Sequence, residues 1–407
     1  MIAFALGAMG VAFLDRICIS TAAPAIKADL GLDDAQMGYV FSAFTLAYAL
    51  FEVPSGWLAD RFGARIMLTR IVVWWSAMTA ATGAAQGFAS LVGVRALFGM
   101  GEAGVLPSLT RAFGRWLPAR ERGRAFGLTI MAAGLGGAAT QPLVVAILGR
   151  FSWRHAFPIF GAVGLVFAAA WFWWFRDDPR THRGVNAAEL AEIGADPAPA
   201  AHPAVPWGAI VRSRNLMALC AMYFGAIYGW YFYLTWLPTY LLRARGFDLA
   251  AVGWLAALPM LGIAAGSLAG GLLADALTRR FGARTGLRLP GLLGLPLAAC
   301  AIAAAVASDA PRASAFWLAA AAALSALGVA PAWSVCLAIG GRHAGVVSGA
   351  MNTFGNLGGV ASPIVVGWCL TWWSSWETPL YTVAAFYAFA ALCWLGVDPT
   401  ESLDLPG

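Results

Sequence analysis

Two pairs of ionisable residues lie inside long apolar segments of the sequence, where a charged side chain is costly. Asp15 and Arg16 are adjacent in the first such segment, and Arg95 and Glu102 belong to a later one, in the string RALFGMGEAGVLP. Seven residues make about two turns of a helix, so Arg95 and Glu102 share one face, about 10 Å apart along the axis. Ionisable groups in such segments typically mark the path of an ion or a substrate.

These residue types suit the binding of an anion that is coupled to a proton. Arginine presents a planar fork of N–H donors, which matches a carboxylate and stays charged. A carboxyl group that competes with the substrate for the same arginine can bind and release a proton as the substrate enters and leaves. The alternative is two buried ion pairs that only fix the packing of helices.

The remainder of the sequence indicates which elements hold these residues. Of the 407 residues, 60% are hydrophobic and 11% are charged, whereas a soluble domain is about 25% charged. Apolar runs of 18 or more residues recur along nearly the whole chain, and each is long enough to cross a hydrocarbon core of about 30 Å as a helix. They predict an all-α membrane protein with 12 transmembrane helices, here called spans 1 to 12, at residues 2–26, 36–58, 67–88, 90–112, 124–148, 155–176, 214–240, 248–274, 289–308, 312–336, 343–369 and 376–397.

Basic residues predict the orientation of these spans. The loops on one side hold 17 Lys and Arg and those on the other side hold six, and the richer side faces the cytoplasm. Both termini are therefore predicted to be cytoplasmic, and the use of 25 Arg against one Lys favours a bacterial inner (plasma) membrane. The net charge of +6 is a signal of topology and gives no reason to propose nucleic acid as a partner.

One polar, Pro-rich segment divides the chain into halves of six spans. The predicted domains are an N-terminal six-helix bundle (1–176), a cytoplasmic central loop (177–213), a C-terminal six-helix bundle (214–398) and a cytoplasmic tail (399–407).

The two halves share a repeated loop. WLADRFGAR at 57–65 recurs as LLADALTRRFGAR at 272–284, with four residues inserted, and each copy follows the second span of its half. Internal repeats build many transporter folds, with the substrate site near the bilayer midplane between them. An acidic residue that closes span 2 can pair with nearby arginines, and such a latch breaks and reforms as the halves move. The alternative is a plain loop staple. The predicted gating residues are Asp60, Arg61, Arg65, Asp275 and Arg279.

The loop string G-x-L-A-D-R-x-G-x-R at 56–65 resembles the signature between spans 2 and 3 of the major facilitator superfamily. Further strings resemble its anion:cation symporter family: Asp-Arg in span 1, R-x-x-x-G-x-G-E-A-x-x-x-P in span 4, and those at 116–125, 234–241 and 348–359. The resemblance covers essentially the whole chain and implies a major facilitator fold of two pseudo-symmetric six-helix bundles. It also implies that Asp15 and Glu102 take part in proton coupling and that Arg16 and Arg95 attend an anionic substrate such as a sugar acid.

The second half contains no acidic or basic residue deep in its predicted spans, so its polar and aromatic side chains become candidate ligands. Hydroxyl and amide groups suit a polyhydroxylated solute, although such groups also join helices in membranes. With one tyrosine of span 2, the candidates are Tyr48, Tyr223, Tyr231, Trp236, Asn352 and Asn356.

Two other features carry weaker predictions. Glycine-rich strings at 134–142 and 262–271 predict close crossings of helices. Glu52 lies about two turns before Asp60 and is either a second protonation site or a partner of loop arginines.

These patterns predict a secondary active transporter that takes up a small organic anion, a sugar acid or other carboxylate, by proton-coupled symport and alternating access. The expected partners are the carboxylate, protons and membrane lipid, with a monomer as the default, no metal and no cofactor beyond the proton. An enzyme is not expected, since no nucleophile and base lie within reach. The alternatives are a proton-driven exporter of lipophilic or cationic compounds, which two intramembrane arginines disfavour, and a non-transporting membrane sensor.

Overall fold

The computed structural model describes residues 1–193 and 212–401, and every regular element in those ranges is helical. The helices of the first half are α1 Ile2–Leu30, α2 Asp34–Phe62, α3 Ala64–Thr82, α4 Phe88–Glu102, α5 Val105–Trp116, α6 Ala119–Leu148, α7 Trp153–Trp174 and α8 Ala187–Ile193. Those of the second half are α9 Arg214–Thr235, α10 Leu237–Arg243, α11 Leu249–Leu255, α12 Ala257–Phe281, α13 Ala283–Ala307, α14 Pro311–Ala326, α15 Val329–Gly340, α16 Ala344–Trp373 and α17 Glu377–Leu395.

These helices form the predicted twelve spans. Eight spans are single helices: spans 1, 2, 3, 5, 6, 9, 11 and 12 are α1, α2, α3, α6, α7, α13, α16 and α17. The other four consist of two helices each: spans 4, 7, 8 and 10 are α4–α5, α9–α10, α11–α12 and α14–α15. Within the described residues, ten of these spans are long and apolar enough to cross a membrane. The helices of spans 2 and 3, α2 and α3, are 29 and 19 residues long. Span 3 ends at Thr82 rather than near residue 88. The next residue, Gly83, packs against the Arg154 carbonyl.

A proline follows the break in each span that consists of two helices. Pro107, Pro238, Pro259 and Pro331 are the second or third residues of α5, α10, α12 and α15. Proline is tolerated in the first turn of a helix, but its ring clashes with the carbonyl four residues earlier and removes a hydrogen bond. The preceding helix therefore ends at that point.

The described residues pack as two compact units, residues 1–32 with 43–193 and residues 33–42 with 212–401. In the first unit span 1 packs on span 5, and span 3 packs on spans 4 and 6. In the second unit span 7 packs on span 11, and span 9 packs on spans 10 and 12. Each pairing recurs six spans later, so the two units are pseudo-symmetric. The start of α2 belongs to the second unit, where Gly38 lies against the Pro363 carbonyl.

The two glycine-rich strings form close crossings, as predicted. A Cβ at Gly136 of α6 would overlap the backbone of Gly10 in α1, 2.6 Å from its carbonyl oxygen. In the second unit, a Cβ on Gly266 or Gly270 of α12 would overlap the carbonyl of Ala323 or Leu327. Small residues let transmembrane helices approach to backbone contact.

The repeated loops have the same backbone geometry. Gly63 has φ 83° and ψ 158° before α3, and Gly282 has φ 84° and ψ 165° before α13. Residues with a side chain rarely adopt this region, which is essentially restricted to glycine. Only the first copy is also crowded, because a Cβ on Gly63 would lie 2.8 Å from a carboxylate oxygen of Asp177, while a Cβ on Gly282 would meet open space.

We expect Gly63→Ala to destabilise the protein more than Gly282→Ala. Both variants carry the backbone strain, about 1–3 kcal/mol, and only Gly63→Ala also displaces the Asp177 carboxylate. Thermal unfolding in one detergent, followed by tryptophan fluorescence, compares the two variants. Equal losses in Tm would show that the contact with Asp177 contributes nothing.

Candidate functional site

The four ionisable residues of spans 1 and 4 come together inside the first unit. Asp15, Arg95 and Glu102 are 0%, 2% and 1% exposed, and the side chain of Arg16 is 17% exposed. Asp15 and Arg16 belong to α1, while Arg95 and Glu102 belong to α4. A group of charges so completely buried is stable only when its members are paired or hydrogen-bonded.

Glu102 pairs with an arginine of the neighbouring span. Arg16 Nη2 donates to Glu102 Oε1 at 2.6 Å, which ties span 1 to span 4. The other carboxylate oxygen of Glu102 is buried without a hydrogen bond in the described chain. The pair is therefore short but leaves one oxygen available to a proton or a donor.

Arg95 is buried without an ion pair among the described residues. Its guanidinium carbon lies 4.5 Å from the ring centre of Phe98 and 5.1 Å from that of Phe44. Glu102 and Asp15 act on it electrostatically, but neither forms a salt bridge with it. Arg95 is thus a buried cation held by ring faces, and its donors are not used by a protein carboxylate.

The ring of Phe44 contacts both arginines. It lies 4.8 Å from the guanidinium carbon of Arg16 and 5.1 Å from that of Arg95, and the ring of Tyr48 lies 5.1 Å from Arg16. Gly99 makes this possible, because a Cβ there would overlap the Phe44 carbonyl, so α2 and α4 touch through their backbones. Ring faces attract cations, most strongly when water is excluded.

Sequence reasoning included Tyr48 but missed Phe44. The two residues are four apart in α2 and so share a face, with their rings 5.9 Å apart. The spacing of this aromatic pair in the span next to the charged ones is the sequence signal that could have identified Phe44.

Asp15 has no hydrogen bond of good geometry on either carboxylate oxygen. Arg95 and Glu102 act on it electrostatically, and the side chains of Trp75 and Thr79 in α3 interact with it directly. The structure therefore brings Asp15, Arg16, Arg95, Glu102 and Tyr48 into one cluster, together with Phe44.

The candidate ligands of the second half lie in the second unit and are mostly buried. Trp236 has no exposed surface, and its indole N–H donates to the Pro363 carbonyl at 3.2 Å. The rings of Tyr223 and Tyr231, 4% and 8% exposed, cover Gly355 and Gly359 of α16. These contacts give the three aromatic residues a packing role, and their contact with substrate stays a prediction.

The two asparagines of span 11 differ in exposure. Asn352 is half-buried, whereas Asn356 is 8% exposed and its amide nitrogen has no hydrogen-bond partner in the part of the chain that the structure describes. A buried donor without a partner costs about 1–3 kcal/mol. The contact of Asn356 with a substrate stays a prediction.

The predicted gating residues have different surroundings. The side chain of Asp60 lies outside the described residues. Arg61 is exposed, with its guanidinium carbon 5.6 Å from the Trp57 ring and 5.5 Å from the Phe62 ring. Arg65 donates through Nε and Nη2 to the Phe172 carbonyl, at 2.9 and 2.7 Å, and so fastens the first loop to the end of span 6.

In the second copy the fastening residue is Arg284, which the sequence prediction did not include. Asp275 and Arg279 are exposed, and neither has an ion pair among the described residues. Arg284, the counterpart of Arg65, forms a salt bridge with Asp398 at 3.1 Å and so fastens the second loop to the end of span 12. Alignment of the two copies from their shared FGAR ends, rather than from their Asp residues, would have identified it.

The carboxylates that follow spans 6 and 12 form a second repeat. Asp178 accepts from the Arg180 backbone N–H at 2.9 Å, and Asp398 accepts from that of Thr400 at 3.0 Å, and each aspartate precedes a proline. The hydrogen bond from the Thr400 hydroxyl holds the pKa of Asp398 below its usual value, because it stabilises the charged form. The link with Arg284 is therefore intact at neutral pH and weakens as the pH falls through that lowered pKa.

Comparison with known proteins agrees with this fold. The sequence profile of the Major Facilitator Superfamily matches residues 5–252 and 219–407. The chain belongs to the major facilitator superfamily. This major facilitator protein is 37% identical to a probable sulfoacetate transporter of Cupriavidus necator, over 97% of this chain and 93% of the relative. It is 31% identical to a D-galactonate transporter of Escherichia coli O6:H1, over 88% of this chain and 86% of the relative.

A solved structure shows the same fold at lower identity. The crystal structure of a bacterial homolog of the human lysosomal transporter Spinster superposes with a TM-score of 0.81 at 21% identity, covering 97% of this chain and 95% of that one. The predicted fold class and the resemblance to anion:cation symporters are confirmed. The protein is a multi-pass membrane transporter and not an enzyme.

We expect Arg16→Met to lower the free energy of unfolding by about 3–5 kcal/mol, because it leaves the Glu102 carboxylate buried without its cation. Arg16→Met combined with Glu102→Gln removes both charges and should recover most of that loss. Thermal unfolding in a fixed detergent measures the single and the double variant. A double variant no more stable than Arg16→Met would contradict the assignment of the loss to an uncompensated charge.

Proposed function

We propose that this chain is a proton-coupled symporter that takes up a small organic acid by alternating access. The observation that carries the proposal is Arg95, a buried cation without an ion pair in the described chain, beside the Arg16–Glu102 pair. A buried cation that forms no ion pair with a carboxylate of the described chain suits an anion that arrives and leaves.

The proton enters this proposal through Glu102 and Asp15. A proton on Glu102 removes the charge that holds Arg16, so Arg16 becomes available to the substrate as well as Arg95. When the substrate leaves, Glu102 recovers Arg16 and loses its proton. Competition for one guanidinium thus makes proton and anion enter together.

The relatives suggest the substrate class. The transporters named above act, by their names, on sulfoacetate and on D-galactonate, both of which carry a carboxylate. We propose a small carboxylate for this chain, either sulfonated or polyhydroxylated, and the higher identity makes sulfoacetate the first acid to test. A sulfonate, like a carboxylate, offers several acceptor oxygens to an arginine fork.

Other parts of the chain have supporting roles in the proposal. Asn356 is a candidate neutral donor of the second unit, and the repeated loops, with Asp60, Arg61, Arg65, Asp275 and Arg279, have a gating role. The protein is a monomer of the bacterial inner membrane with both termini in the cytoplasm, as the loop arginines favour.

Uptake into proteoliposomes tests the function. We expect one labelled acid among sulfoacetate, galactonate, glucarate and glucuronate to accumulate when an inward proton gradient is applied. Glu102→Gln should abolish the dependence on the gradient, because the amide cannot exchange the proton, while Arg150→Gln, at an exposed position, should retain it. If no acid enters while lipophilic cations leave against their gradient, the protein is an exporter and the proposal is wrong.

Phe44→Leu tests the aromatic support of the two arginines. Loss of a ring that contacts both guanidiniums removes about 0.5–2 kcal/mol for each contact, so we expect KM for the transported acid to rise about tenfold. The matched control is Phe98→Leu, which removes an equally buried ring that contacts Arg95 alone, and it should raise KM less. Equal effects of the two variants would exclude a shared role of Phe44.

A further inference from the structure

We propose that Trp75 and Thr79 of span 3 are positioning residues for the coupling proton, because their side-chain N–H and O–H groups hold Asp15 in its ionised form. This inference rests on the proposed function, in which Asp15 is one of two proton carriers. It adds two neutral residues that no sequence pattern singled out.

The first support is burial. Asp15, Trp75 and Thr79 are 0%, 0% and 1% exposed, so water does not reach the carboxylate from outside the protein in this conformation. An ionised carboxylate in such a place needs donors. Trp75 and Thr79 are the neutral side chains whose N–H and O–H groups are close enough to act on it.

The second support is that all of these groups are unsatisfied. Both carboxylate oxygens of Asp15, the indole nitrogen of Trp75 and the hydroxyl of Thr79 lack a hydrogen bond of good geometry in the described chain. Two donors that lie near a carboxyl group without forming a hydrogen bond to it suit a carboxyl group that changes charge. Closure follows when Asp15 loses its proton and becomes a stronger acceptor.

The local structure presents both donors from one helix face. Trp75 and Thr79 are four residues apart in α3, so they lie one above the other. Gly164 of α7 leaves room for the indole of Trp75, because a Cβ there would lie 3.3 Å from the indole nitrogen and would overlap the hydroxyl of Ser76. The position of the indole therefore depends on the absence of a side chain in span 6.

Neutral groups are the candidates for stabilising ionised Asp15, because the charged side chains around it have other roles in the proposed function. Arg95 and Glu102 of span 4 are the charged side chains that act on it, and the Cys18 thiol lies one turn further along α1. Of the other helices packed on α1, α6 contributes Gln141, which accepts from Thr21, and α7 contributes aromatic rings around Phe4. Trp75 and Thr79 stabilise the carboxylate without drawing Arg95 away from the substrate.

Deprotonation of Asp15 is a proton transfer from the carboxyl group to water. The O–H bond of the Asp15 carboxyl breaks, the proton passes to water when the path opens, and the carboxylate accepts hydrogen bonds from Trp75 and Thr79. On reprotonation the two donors are released. The step needs no partner other than water.

Infrared titration of the purified protein in lipid vesicles tests this proposal without any substrate. The carboxylic-acid C=O band that disappears in Asp15→Asn reports the protonated form. We expect Thr79→Val and Trp75→Phe each to shift the loss of this band to higher pH, by roughly one unit, because a lost hydrogen bond to a charged group disfavours the ion. Thr79→Ser, which keeps the hydroxyl, should titrate as the wild type.

Thr82→Val is the matched control, since Thr82 is equally buried in α3 but donates to its own helix at the Met78 carbonyl. A Thr79→Val protein that titrates as the wild type overturns the proposal, and this comparison decides it even if Trp75→Phe does not fold. In uptake assays, the pH above which transport falls should rise in the same two variants. A wild-type protein that moves no acid would refute the symporter function, whereas the infrared titration would still decide the role of the two donors.

Discussion

The constraint on which this structure depends is the burial of four charged side chains in two adjacent spans. Asp15, Arg16, Arg95 and Glu102 would each be expensive alone in a low-dielectric interior, and only one close ion pair, between Arg16 and Glu102, forms among them. The other two form no ion pair with each other: Arg95 lies against the faces of two rings, and Asp15 lies near the charges of Glu102 and Arg95 and the neutral side chains of Trp75 and Thr79. A site with one ion pair and two loosely held charges is suited to exchange partners.

Close helix packing keeps these charges together. Gly99 lies between Arg95 and Glu102 in α4 and brings that helix into backbone contact with α2, where Phe44 reaches both arginines. Gly136 similarly joins span 5 to span 1. Because lipid offers no hydrophobic drive for helices to associate, such contacts supply much of the attraction between them. Gly99 and Gly136 therefore support the site through helix packing and not through contact with the charged groups.

The sequence was sufficient for the spans, the repeat and the four charges, and insufficient for their pairing. Apolar runs fix the number of spans because the bilayer fixes their length. The partner of Glu102 depends on how α1 is rotated against α4, which hydropathy does not encode. Helical spacing showed only that Arg95 and Glu102 share one face of a helix. Phe44, Trp75 and Thr79 were missed for the same reason, since aromatic and hydroxyl residues are common in every span. Prolines alone did not locate the breaks of four spans, because Pro24, Pro54 and Pro363 lie inside unbroken helices.

The two units have similar backbones but different side-chain chemistry, which suggests different roles for them. Both units keep a glycine of the same conformation before the third span of the half, at Gly63 and Gly282, and both fasten that loop with an arginine, Arg65 or Arg284. Among the described residues, the spans of the first unit bury charged side chains, whereas the second unit offers neutral groups such as the amide of Asn356. In the proposed function, the coupling of proton and anion therefore belongs to the first unit, because a neutral amide cannot exchange a proton.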